Sequence, residues 1–109
     1  MSHIFYDVYV DWPAAQTQLK AILENEEHVH EMEEMLDKIT HHEVFSTIFS
    51  SLPNQVHAEF IEAVYKAPHA PEHILFIQRY DPDIEQKLRA AASDAHQRFF
   101  DAIHAPMID

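Results

Sequence analysis

The chain has no glycine and no cysteine among its 109 residues, and 7 Lys and Arg stand against 19 Asp and Glu. With 10 His counted neutral, the formal charge is −12 at pH 7. Each shortage excludes something. An average chain of this length holds roughly eight glycines, which supply left-handed turns and let backbone approach phosphate. Without them there is no P-loop, no dinucleotide-binding fingerprint and no glycine-flanked nucleophile elbow. Asn-Gly and Asp-Gly hairpin turns are missing too, which argues against a large β-sheet. The lack of cysteine removes disulfides, zinc ribbons and thiol catalysis, and it fits a reducing cytoplasm. Scarce Lys and Arg argue against direct nucleic-acid binding, which depends on phosphate contacts. The longest apolar run is Ile74 to Ile77, far short of the ~20 residues of a membrane span. Met1-Ser2-His3-Ile4-Phe5 lacks the basic and apolar regions of a signal peptide. These features predict a soluble cytoplasmic protein that makes no membrane contact.

An apolar fraction of 47% is that of a globular chain, and this length suits one domain. Proline marks where helices begin, because its missing N–H is no loss in a first turn. Pro13, Pro53, Pro71 and Pro82 each open a stretch. Asp81 before Pro82 reads as an N-cap, and Thr40 with Glu43 reads as a capping box. Five helical stretches follow, about 13–39, 40–52, 53–67, 71–80 and 82–103, with the first divisible into two near Asn25. Their apolar residues recur at helical spacing. The fold class is therefore all-α: a compact bundle of five to six helices (residues 12–104) with an extended N-terminal arm (1–11) and a C-terminal tail (105–109). The arm, Ile4 to Val10, is rich in β-branched and aromatic residues. This leaves open an α+β alternative in which residues 4–10 pair with 74–79 as two strands.

From Thr40 to Ile103, short apolar helices, a Pro-started short helix and a terminal Asp-Pro-Asp-Ile-Glu-x-x-Leu helix resemble an uncharacterised all-helical domain of small bacterial proteins. The resemblance covers a little over half the chain and rests on capping and spacing. It implies a helical fold and carries neither a function nor site residues.

Glu24, Glu26, Glu27, Glu31, Glu33, Glu34 and Asp37 form a run of seven acids with no Lys or Arg between them. Such a run is a solvated helix face or a docking face for a basic protein. The candidate docking residues are Glu24, Glu27, Glu31, Glu34 and Asp37. Phe5 and Tyr9 of the arm are candidates for pairing with a partner or a second copy. A metal-binding helical bundle is the alternative. Glu27 with His30 and Asp101 with His104 repeat the acid-x-x-His spacing of di-metal bundles, although this composition yields such pairs by chance. A nucleic-acid mimic, its carboxylates imitating phosphates, is a further alternative. Ser93, Asp94 and His96 crowd into one helical turn, whereas catalytic triads assemble from distant positions. The chain thus reads as a small acidic interaction module (adaptor, inhibitor or accessory subunit), not an enzyme and without a cofactor. His28, His30, His41 and His42 lie among carboxylates, which predicts raised pKa values.

Overall fold

A computed structural model describes residues 4–104; the tail 105–109 and the first three residues of the arm lie outside the described residues. Five α-helices follow one another: α1 Trp12–Ile22, α2 Glu26–Ser51, α3 His57–Lys66, α4 Glu72–Gln78 and α5 Ile84–His104. Short 3-10 turns occupy Asp7–Tyr9 and Asn54–Val56. The fold is all-α, with no strand among the described residues.

The starts of α1 and α2 follow the local chemistry of short polar side chains, whereas α3 and α4 begin without a side-chain cap. Asp11 caps α1, its carboxylate accepting from Ala14 N at 3.2 Å. Asn25 caps α2, its side-chain oxygen accepting from Glu27 N at 2.8 Å. The chain therefore breaks at Asn25. It does not break at Thr40. Thr40 is fully buried between Leu36 and Val44 on the inward stripe of α2, so burying that stripe requires the helix to run through. The capping-box reading at Thr40, and the helix boundary drawn there, are corrected on this point. At the other end, Leu52 is extended and Pro53 follows. The last carbonyls of α2 are met by a side chain: His57 Nε2 faces Phe49 O at 3.1 Å and Leu52 O at 2.9 Å. Asp81 does not cap α5 itself but holds the turn just before it. Its Oδ1 accepts from Asp83 N at 3.1 Å, and α5 begins only at Ile84. No described residue has positive φ. With no glycine available for a left-handed cap, α1 and α2 end on residues in extended conformation.

The N-terminal arm packs on the bundle but is coiled, not extended. Ile4 N donates to Asp7 Oδ2 at 2.9 Å, and Tyr9 N donates to Tyr6 O at 2.9 Å. Phe5 N reaches Pro68 O at 2.8 Å. The segment proposed as its partner strand lies largely in α4. Local hydrogen bonds satisfy both segments, whereas two short strands on their own make a marginal pairing.

Helices α2 and α5 run antiparallel through two cores. One core joins Phe5, Tyr6 and Val10 of the arm to Val44, Ile48, Phe60, Ile77, Ile84 and Leu88. The other contains Ala15, Leu19, Val29, Leu36, Phe99 and Phe100. Between them lie buried Thr40 and Ala95, members of neither. The 26 residues of α2 reach about 39 Å at 1.5 Å per residue. The molecule is correspondingly long, 46 × 25 × 19 Å, with a radius of gyration of 15.5 Å, against about 13 Å for an average domain of this length.

Candidate functional site

The first three turns of α2 carry most of the acidic run. Glu27, Glu31 and Glu34 recur at helical spacing and are exposed, which makes them one ridge on the outer side of the helix. Glu24 is exposed in the linker just before it. Lys20 borders a shallow depression with Glu24, Glu26 and Glu33. Among the described residues, however, no Lys or Arg forms an ion pair with any acid from Glu24 to Asp37. The contact the ridge does make is His30 Nε2 to Glu34 Oε1 at 3.1 Å, with both groups largely exposed. The bases that pair do so elsewhere: Lys66 with Glu62, Lys87 with Asp81, and Arg98 with Glu43 and Asp94. Helix α2 tolerates its acids partly because Glu26 and Glu27 sit in its first turn, where the helix dipole favours negative charge.

Asp37 does not belong to this ridge. It is half-buried on the side of α2 that faces the arm. Burial first, and then the nearby Asp7, push its carboxyl up, while His41 pulls it down. Tyr6 is buried next to this group, its hydroxyl 2.9 Å from His41 Nδ1. Its phenol is pushed up by burial and then by Asp37 and Asp7. His41 keeps an exposed edge, but its ring stacks at 4.4 Å on Phe45. Burial of that side lowers its pKa, outweighing Asp37. The raised value predicted from sequence is thus reversed, because packing on aromatic rings outweighs one carboxylate. His96 is also pushed down by burial, with Asp11 opposing. Its ring lies 5.3 Å from Trp12.

Phe5 is not available to a partner. It is 6% exposed and meets Phe45 and Phe60 edge-on at 6.1 Å. Tyr9 is half-buried beneath the Arg89 guanidinium, 5.1 Å from its ring centre. Tyr9 and Arg89, together with Asp11, Gln18, Ser93, His96 and apolar neighbours such as Val10 and Phe100, line a mixed cleft of about 550 Å³. The sequence did not signal this cleft, because its walls come from the arm, α1 and α5 at once.

For metal, the described ligand candidates Glu27, His30 and Asp101 are not brought together. His30 turns to Glu34 and not to Glu27. Asp101 is exposed on the last turns of α5, and the His104 side chain lies outside the described residues. Among the described residues no three His, Asp or Glu side chains gather closely enough to hold a metal ion. No described helix is long and apolar enough to cross a membrane. Neither family models, nor curated proteins, nor solved structures give a match to this chain.

Proposed function

We propose that the protein is a small acidic interaction module, an adaptor, inhibitor or accessory subunit, that binds a basic protein partner through the Glu27–Glu31–Glu34 ridge of α2 and the adjoining Glu24. A cytoplasmic setting suits a chain free of cysteine. The observation that carries this reading is an exposed row of acids without Lys or Arg ion pairs in a protein whose paired bases are engaged elsewhere. An uncompensated row of like charge steers encounter with an opposite surface and disfavours wrong partners.

The test compares two charge-matched variants. One changes Glu27, Glu31 and Glu34 to Gln; the other changes Glu59, Glu62 and Glu72, exposed on α3 and α4, to Gln. Both should keep their helices, since Gln forms helix about as well as Glu. Proteins from the native host are captured on wild type and on both variants. A basic partner held by wild type and by the α3/α4 variant, and lost from the α2 variant, is the expected result. Equal capture by all three, or equal loss from both variants, overturns the reading.

A further inference from the structure

The acidic ridge stands beside an apolar groove. Met32, Met35 and Ile39 of α2 face Phe99, Ala102 and Ile103 of α5 across an open groove of about 340 Å³. Met35 and Ile39 are 48% and 36% exposed. Glu31 lies one turn before Met35, and Glu27 one turn before that, so acids follow the α2 rim. Asp94 and Asp101 are exposed along α5, either side of Arg98. Arg98 reaches Glu43 at 3.2 Å and Asp94 at 2.9 Å, which closes the groove toward the middle of the molecule. Glu27 and Glu31, in line with Met35 along α2, and Asp101, one turn after Arg98 on α5, flank the groove by helical spacing and have no Lys or Arg ion pair among the described residues.

We infer that this groove receives one amphipathic helix of a partner protein, its apolar stripe on the Met32–Met35–Ile39 floor and its flanking Lys or Arg against Glu27, Glu31 and Asp101. The inference rests on the ridge reading above and adds the shape and polarity of the ligand. A trough between two packed helices fits a third helix whose apolar residues recur at i, i+3, i+4 and i+7. Unbranched, polarisable Met side chains adapt to such a stripe. The charge on the rims selects the occupant. A second copy of this chain brings a formal −12 of its own and is repelled, as is an anionic lipid surface.

The probe is a synthetic helix of about five turns, with Leu on one stripe and Lys on both flanks. A scrambled peptide of identical composition, lacking the stripe, is the control. Binding is read by fluorescence anisotropy of labelled peptide and by the methyl resonances of Met32 and Met35 in the unaltered protein. The striped peptide should bind at least about tenfold more tightly than the scrambled one and should shift both methyl resonances. Met35→Gln and Ile39→Gln, at exposed positions, should weaken it by about tenfold or more together with an unchanged helix signal. If both peptides bind alike and only the Glu27, Glu31 and Glu34 variant weakens them, the ridge stands and the groove inference is overturned. If neither peptide binds, the basic helix is overturned as the occupant. Concentration-dependent dimerisation in sedimentation, abolished by Met35→Gln, would overturn it in favour of a second copy.

Discussion

Helices α2 and α5 run through both ends of the molecule, yet the two ends are built differently. At one end the arm, α3 and α4 wrap the helix pair. Phe60 stands among rings there, about 6 Å edge-on from Phe5, Phe49 and Phe76. Edge-to-face pairs of this kind contribute about 0.5–1.5 kcal/mol each beyond their buried area. At the other end α1 alone joins the pair over six buried residues, and the outer face carries acids that, among the described residues, have no Lys or Arg ion pair. Like charges at helical spacing cost only a few tenths of a kcal/mol per pair. A fold anchored at its aromatic end can bear that cost at the acidic end, which is where the docking role proposed above would fall.

The hardest blow to this contrast is struck at the aromatic end. Phe60→Ala removes a ring that is 1% exposed and should cost about 3–5 kcal/mol, a large part of a typical domain's stability. Urea unfolding would show it, and a loss below about 1 kcal/mol would mean that the rings do not anchor the fold. A smaller effect of opposite sign belongs to the waist. Among the described residues the buried Thr40 hydroxyl has no hydrogen-bond partner. Thr40→Val keeps the shape and removes an unsatisfied group, so the protein should gain roughly 1 kcal/mol. A loss of stability would show that the hydroxyl has a partner in solution.

Acid should sharpen the contrast more gently. Burial holds the His41 and His96 imidazoles below their ordinary value of 6.5. An unfolded His takes its proton near pH 6.5, and these two take it only at lower pH. In that window the unfolded chain binds more protons, so stability is full above pH 6.5 and falls as pH drops toward the folded values. Asp37 works in the opposite sense, since its raised carboxyl gains a proton in the fold first, but its window opens just above the carboxylate value of 3.8. The melting temperature should therefore fall between pH 7 and pH 5.5, and His96→Gln should flatten that slope. A melting temperature that rises on acidification would restore the surface-histidine expectation.

Much of the helical plan was legible because it is local. Pro13 marks the start of α1 and Asn25 the break before α2 by short-range chemistry, and Pro53 ends α2 whatever surrounds it. The ridge was legible for the same reason, since Glu27, Glu31 and Glu34 need only a helix to align. What failed depends on tertiary packing. Thr40 looks like a cap until its burial between Leu36 and Val44 is known. Asp37 belongs by sequence to the acidic run, yet the arm folds over it. Phe5 and Tyr6 look like a strand, and aromatic neighbours from α2, α3 and α4 draw them into a coiled turn. The apolar groove was illegible because its walls, Met35 and Phe99, lie far apart in the chain.

The smallest structural effect and the most decisive functional one come from the same variant. Changing Glu27, Glu31 and Glu34 to Gln should alter stability by no more than about 0.5 kcal/mol, as exposed substitutions generally do. The measurement that decides is the association rate constant of the captured basic partner with this variant, from low to high salt, beside the variant at Glu59, Glu62 and Glu72. The α2 variant should associate more slowly at low salt, with the difference fading as salt screens the ridge, while the α3/α4 variant stays close to wild type. Identical rates for the two variants at every salt concentration would contradict a docking role for the acidic ridge.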